Sequence, residues 1–259
     1  MVTPLLENKE LDLVGLKNLL EHLINGGVHG IFILGTTGEG PSLSYAVRKQ
    51  LVSETCRIVN KKVPVLVGIT DTSFDGTLEI ANHAKKVGAD ALVVAPPYYF
   101  PIAQEEMGDY LESLVPMLPL PFMLYNMPSC TKLHLSIDVV RRAKELGAIG
   151  IKDSSGDLSY LYMLIEEFKS DPAFSIIAGT ELFLPKLLRD KVIKVHQTIY
   201  EVGEYPSRHI KGTKAALMAM GICQDHNAEP LDRFTEEQRN RIKKYIAQFN
   251  YRNEYKTIH

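Results

Sequence analysis

The strongest constraint on this chain is a rhythm. Short, wholly apolar segments alternate with longer stretches of helical periodicity, and a glycine closes the helical stretch before the next apolar segment starts. Gly27-Val28-His29-Gly30-Ile31, Gly88-Ala89-Asp90-Ala91-Leu92 and Gly147-Ala148-Ile149-Gly150-Ile151 repeat that junction. Leu13, Leu16, Leu19, Leu20 and Leu23 have the spacing of an amphipathic helix over 11–24, stopped by Gly26-Gly27. Strands are predicted at 29–35, 63–69, 91–95, 121–125, 148–152 and 175–178. Helices are predicted between them at 42–59, 76–87, 105–118, 136–146 (capped by Ser136) and 158–169. Strands apolar on both faces need cover on both sides, which makes the sheet parallel and the helices crossovers. Repeated βα units of about thirty residues point to a TIM-type (β/α)8 barrel rather than an open sheet.

After Gly179 the rhythm breaks. Residues 180–200 carry one long helical pattern and 206–220 another. Thr235-Glu236-Glu237-Gln238 is a capping box that opens a last helix running to about 250. With a stub at Met1–Pro4, seven strands are visible and the eighth is missing. The expected organisation is a barrel over residues 1–184, then 185–259 supplying the remaining barrel helices and a C-terminal helical extension. A chain of 259 residues, 45% hydrophobic, can bury a core of that size. A net charge of −2 lacks the electrostatic footprint for nucleic acid or an anionic membrane, so neither is an expected partner. Cys56, Cys130 and Cys223 show neither metal-ligand nor disulfide spacing, which suits a reducing cytosol. No segment has the form of a signal peptide or a membrane span, and the expected location is the cytoplasm.

In a parallel barrel, chemistry sits where strands end and βα loops begin. Ala148-Ile149-Gly150-Ile151-Lys152-Asp153-Ser154-Ser155-Gly156 ends an apolar run on a lysine. Neutralising a free lysine at pH 7 takes about 4–5 kcal/mol in water. Burial lowers that figure, and a neutral amine at a pocket mouth is a nucleophile for carbonyl carbon. Lys152 is therefore a candidate Schiff-base residue; the alternative is a lysine that snorkels to solvent and pairs with Asp153. Gly35-Thr36-Thr37-Gly38-Glu39-Gly40 offers hydroxyls and backbone N–H groups for a carboxylate, or is an ordinary glycine-rich turn. Pro96-Pro97-Tyr98-Tyr99-Phe100-Pro101 is a rigid aromatic loop that serves packing or a site. Tyr125 ends another apolar run, where it either relays protons or is a half-buried tyrosine bonded to backbone. Cys130, His134 and 200–208 are weaker candidates for the pocket wall.

Together these stretches resemble the dihydrodipicolinate synthase/N-acetylneuraminate lyase family of pyruvate-dependent class I aldolases. The resemblance rests on Gly35-Thr36-Thr37-Gly38-Glu39, Pro97-Tyr98-Tyr99, Tyr125-Asn126-Met127-Pro128 and Ile149 to Gly156, in that order. It implies that Lys152 forms an imine with a 2-oxo acid, usually pyruvate, and that Tyr125 shuttles protons. It also implies that Thr36 passes protons, that Thr37 and Gly38 bind the carboxylate, and that Tyr99 completes the relay of a neighbouring subunit in a homotetramer built as a dimer of dimers. The second substrate is an aldehyde, and neither a metal nor an organic cofactor is implied.

Two departures qualify the resemblance. Synthases that use aspartate semialdehyde carry an arginine where this chain has Cys130, and a thiol cannot clamp a carboxylate bidentately. Between Leu187 and Val195 there stands only Leu188 to Lys194 where the eighth strand and the start of its helix are implied. That gap is a true deletion, a stretch of the complete protein lying outside these 259 residues (the preferred expectation), or a place where Lys191 to Val195 forms a substitute strand. The expected function is a metal-independent Schiff-base lyase or aldolase acting on pyruvate plus an aldehyde, such as a keto-deoxy sugar acid or N-acetylneuraminate-like substrate. The alternatives are dihydrodipicolinate synthesis, dehydration of a keto-deoxy sugar acid, and a catalytically inactive barrel that binds a small acid.

Overall fold

The computed structural model describes residues 1–180, 183, 192, 193, 195, 197–203 and 206–248. Six parallel strands form one curled sheet in sequential order: β1 (Ile31–Ile33), β2 (Val65–Gly68), β3 (Ala91–Val94), β4 (Phe122–Asn126), β5 (Gly150–Asp153) and β6 (Ser175–Ala178). The helices are α1 (Leu13–Asn25), α2 (Tyr45–Val59), α3 (Phe74–Lys86), α4 (Gln104–Leu114), α5 (Pro128–Thr131), α6 (Ile137–Glu145), α7 (Leu158–Phe168), α8 (Arg208–Ala219) and α9 (Glu236–Gln248). The side chains of Asp12, Ser44, Ser73, Ser136 and Asp157 cap five of them by accepting a backbone N–H three residues on. Each such cap contributes about 0.5–2 kcal/mol. Gly27, Gly88 and Gly147, the repeated junction glycines, all take positive φ, which turns the chain from helix end to strand start.

Strand periodicity sorts the apolar residues into two cores. Leu92, Leu124 and Ile151 face the helices and are fully buried in the large outer cluster. Their neighbours Val93, Met123 and Tyr125 turn inward, where Phe32, Leu66 and Met127 pack against them. This is why the strands are apolar on both faces. The register pairs Tyr125 with Lys152, so the inward face of β4 and β5 carries phenol and amine side by side.

Two expectations change. The Met1–Pro4 stub is not a seventh strand. Its one backbone bond to the sheet runs from Met1 N to Phe32 O (3.0 Å), while the Thr3 hydroxyl turns to Gly38 O (2.6 Å) and Pro4 has no N–H to continue a ladder. Second, the substitute strand is not formed by Val192, Ile193 and Val195, which are helical. The rest of the long helical pattern of 180–200 lies largely outside the described residues, as does the domain boundary at 184/185. Among the described residues β6 pairs only with β5, and Ile177 on it is 44% exposed. The chain thus has a TIM-type fold whose described strands form a curled six-stranded sheet, with no seventh or eighth strand among the described residues.

The C-terminal helices have a small core of their own, Ile199, Val202, Ala215, Ala216, Phe234 and Ile242. The Thr235–Gln238 capping box forms reciprocally, at 3.0 and 3.3 Å. This unit is tied to the barrel by Asn18 Nδ2 donating to Ile222 O (3.2 Å), by Lys9 Nζ donating to Asn227 O (3.1 Å), and by a buried ion pair between Lys214 and Glu39.

Leu124 is fully buried against the helical layer and points away from the inward face. Leu124→Ala is therefore expected to destabilise the fold by about 2–5 kcal/mol through transfer and cavity terms. Urea unfolding measures this as a lower midpoint at unchanged slope.

Candidate active site

Lys152 sits on the inward face of β5. Its Nζ lies 4.6 Å from the centre of the Tyr125 ring and 5.0 Å from that of Phe32. Burial pulls its pKa below the ordinary lysine value. The cation–π contacts favour the charged form by about 0.5–2 kcal/mol and act against that desolvation. The alternative pairing with Asp153 is not made. Asp153 points to the other face of the strand, where its carboxylate accepts from Asn126 Nδ2 (2.8 Å) and from the Ser155 N–H and hydroxyl (3.2 and 3.1 Å). Lys152 is thus an amine held among apolar groups, not a lysine that snorkels to solvent beside a carboxylate.

Tyr125 is the inward neighbour of Lys152. Its hydroxyl is 3.2 Å from Thr36 Oγ1, and the Ser154 side chain lies near enough to favour its ionised form. Burial raises the phenol pKa, while Thr36 and Ser154 pull it down. Phe32 meets the Tyr125 ring edge-on, centroids 5.8 Å apart, and fixes its plane. Amine, phenol and two hydroxyls thus converge from three βα junctions.

The strand ends are locked from behind. Asn126 and Asp153, the residues after Tyr125 and Lys152, are almost fully buried and joined to each other. Asn126 Oδ1 accepts from Leu135 N (3.1 Å), and Ser154 N donates to Asn126 O (2.8 Å). A satisfied buried network of this kind holds rotamers that a loop alone leaves free.

The Gly35–Gly40 turn leaves β1 through Leu34 and ends at Glu39, both with positive φ (58° and 56°). Non-glycine residues in that region carry strain of about 1–2 kcal/mol each, held in place by the surrounding contacts. The turn brings Thr36 to Tyr125. Thr37 is half-buried and Gly38 buried, and neither lines the cavity described next.

A cavity of about 330 Å³ opens above this group. Phe32, Thr36 and Tyr125 form one part of its wall, with Thr70, Tyr98, Met127 and Cys130 among the others. Lys152 is not among its lining residues, although both rings against its ammonium are. Among the described residues no charged side chain lines the cavity. The nearby Arg48 guanidinium is engaged by Asp71 (2.7 Å), Leu43 O (3.0 Å) and Pro41 O (3.1 Å). Tyr99 lies away from this chain's cavity, 78% exposed beside the equally exposed Phe100. His134 packs on Tyr160 rather than lining the cavity.

Two contributions escape the sequence pattern. Ser154 carries no role there, and Gly179 marks only the place where the rhythm breaks. A Cβ at Gly179 would stand 1.9 Å from Ser154 Oγ, so only glycine lets that hydroxyl sit there. The available signal is a hydroxyl residue directly after β5 and a glycine directly after β6, each at a strand's C-terminal end.

The sequence profile of the Dihydrodipicolinate synthetase family matches residues 1–190. The 4-hydroxy-tetrahydrodipicolinate synthase of Oceanobacillus iheyensis is 33% identical over 189 residues, 72% of this chain and 63% of that protein. A probable 2-dehydro-3-deoxy-D-pentonate aldolase of Escherichia coli K12 is 36% identical over 172 residues, 65% of this chain and 57% of that one. The chain therefore spans about three-fifths of the length of these curated relatives in those matches. The 4-hydroxy-tetrahydrodipicolinate synthase of Syntrophus aciditrophicus aligns over 282 positions at 30% identity, covering 96% of both chains. That alignment is longer than the 259 residues here, so it opens gaps in this chain. Among solved structures, the dihydrodipicolinate synthase of Bacteroides thetaiotaomicron superposes with a TM-score of 0.91 at 39% identity, covering 96% of each chain. No described helix is long and apolar enough to cross a membrane. With its inward lysine and tyrosine, its parallel curled sheet and a family match over 190 of its 259 residues, this chain belongs to the dihydrodipicolinate synthetase family.

Proposed function

We propose that this protein is a metal-independent, lysine Schiff-base aldolase that joins pyruvate to an uncharged aldehyde or releases the two from a 2-oxo acid. The observation that carries the reading is the amine of Lys152 held among apolar rings beside the Tyr125 phenol. The neutral amine adds to the C2 carbonyl of pyruvate, and loss of water leaves an iminium. The iminium draws electrons from the adjacent methyl, which loses a proton to become an enamine. The enamine carbon attacks the aldehyde carbon, the alkoxide takes up a proton, and water hydrolyses the imine to free Lys152. The protonated nitrogen is the electron sink, so the step requires no metal. Tyr125 carries the protons, with Thr36 hydrogen-bonded to it and Ser154 close by. Thr37 and the backbone at Gly38 are the proposed seat of the pyruvate carboxylate. The exposed Tyr99 is proposed to complete the site of a neighbouring copy in a homotetramer.

The cavity wall supports an uncharged acceptor. A second carboxylate, beyond the one seated at Thr37 and Gly38, calls for donors of its own, and among the described residues the wall offers a few hydroxyls, the Cys130 thiol and apolar surface. A second reading, synthesis of 4-hydroxy-tetrahydrodipicolinate, is favoured by the names of the relatives and neighbours. The two differ in the aldehyde they accept. An inactive barrel is the third, motivated by the open edge at β6.

Borohydride reduction in the presence of pyruvate is expected to add one pyruvate to Lys152. No adduct, or an adduct on another lysine, rejects the Schiff-base reading and leaves the inactive barrel. Tyr125→Phe is expected to lower kcat by about 10²–10⁴-fold while adduct formation on Lys152 persists. Glycolaldehyde and glyceraldehyde are expected to react with pyruvate at a kcat/KM at least about tenfold above that of aspartate semialdehyde, the discrimination of one unpaired polar contact. The reverse order favours the synthase.

The amine also has a pH signature. Its pKa lies below the unfolded value, so the unfolded chain binds more protons between the two. Protonation of Lys152 therefore opposes folding, and its contribution to stability rises with pH across that window. In a ¹³C NMR titration of lysine-labelled protein, one resonance is expected to titrate below the surface lysines and to be absent from Lys152→Met. Titration together with the surface lysines overturns the assignment.

A further inference from the structure

Glu39 and Lys214 form a buried ion pair, with side chains 1% and 0% exposed. They come from opposite ends of the chain: Glu39 closes the turn after β1 and Lys214 lies on α8. Each has a partner from the other end of the chain. The Lys214 ammonium faces Glu39 Oε1 and donates to His226 O (2.6 Å). Glu39 Oε2 accepts from Ala228 N (2.7 Å). The Glu39 backbone N–H in turn donates to Thr36 O (3.0 Å), and the Thr36 hydroxyl meets the Tyr125 phenol at 3.2 Å.

Resting on the Schiff-base reading above, we infer that the buried Glu39–Lys214 pair is the positioning device of the proton relay: it anchors the Thr36–Gly40 turn to α8 and so keeps the Thr36 hydroxyl on Tyr125. Stability alone gives no reason for this choice, because apolar residues of similar volume fill such a space as well or better. A buried pair supplies specificity of position instead. The Glu39 carboxylate has one arrangement that meets both the Lys214 ammonium and the Ala228 N–H, and that arrangement sets a residue held at positive φ. The carboxylate thereby fixes the backbone three residues from its start, at the carbonyl of Thr36. Neither residue lines the cavity, so the pair acts through Thr36 and not on substrate. The C-terminal helices, which contribute none of the cavity lining, thereby acquire a part in the reaction.

The test uses Glu39→Gln, Lys214→Met and the double variant Glu39→Gln/Lys214→Met. The double variant removes both charges and keeps the fold testable if either single variant leaves an unpaired charge too costly to bury. Circular dichroism establishes folding. Pyruvate trapping at Lys152, KM for pyruvate and kcat for the aldol reaction are then measured. The inference expects trapping at Lys152 to persist, a KM for pyruvate that rises because the same turn carries Thr37 and Gly38, and a kcat lower by on the order of tenfold, the low end of what proton transfer contributes. The double variant should be no worse than the poorer single, because the pair acts as one unit. A kcat that falls less than about fivefold beyond any fall in trapping overturns it. Hydrogen exchange on the unaltered protein gives an independent reading. The amides of Gly38, Glu39 and Gly40 are expected to open with those of α8, and faster, separate exchange of the turn overturns the inference. If the unaltered protein forms no pyruvate adduct, the Schiff-base reading fails, and the exchange result still decides whether the pair holds the turn.

Discussion

An amine largely withdrawn from water and set against aromatic rings is the constraint on which the rest of this molecule depends. Lys152 projects from the middle of a sheet into a face built from Phe32, Met123, Tyr125 and Val93. A charged ammonium is badly placed there, and the barrel interior provides no carboxylate to neutralise it among the described contacts. Surroundings that oppose the charge favour the neutral, nucleophilic form. The fold thus spends stability at one position to hold a reactive group, which is the usual relation between strain and function.

That arrangement works only if the neighbours are stiff. The register of β4 against β5 puts Tyr125 directly beside Lys152, and the outward-facing Asn126–Asp153 network keeps the two strand ends together. Had Asp153 faced inward, it would have paired with the lysine and kept it charged. Alternation along a strand prevents this, because successive side chains leave on opposite faces. One residue of slip between β4 and β5 would put Tyr125 and Lys152 on opposite faces of the sheet.

The open side of the barrel lies next to β6, the strand after the one that carries the lysine. β6 pairs with β5 over four positions and leaves Ile177 exposed. An unpaired edge bearing apolar residues favours association with another strand. The family match ends at residue 190, close behind that edge, and the full-length alignment to a relative needs more positions than this chain has. The family match and the described strands thus end near one another in the chain. Beyond the break the C-terminal helices re-engage the barrel from the side of β1, through Asn18, Lys9 and Glu39.

Local pattern by itself determined the class of fold: apolar runs of strand length, helical stripes between them and junction glycines at Gly27, Gly88 and Gly147 require a parallel sheet with crossover helices, because both sheet faces have to be covered. It also marked Lys152, Tyr125 and Thr36, since polar residues that end apolar strands fall at one end of such a sheet. What the partners of those residues are was decided only by tertiary structure. Whether Lys152 meets Asp153 or Tyr125 depends on which face each occupies and on inter-strand register. The roles of Ser154 and Gly179 depend on how closely β5 and β6 approach at their ends. Cys130 reaches the cavity wall because a short helix begins at Pro128, directly after β4. Glu39 and Lys214 are 175 residues apart in sequence, and no periodicity of one segment records which distant charge will be folded onto it.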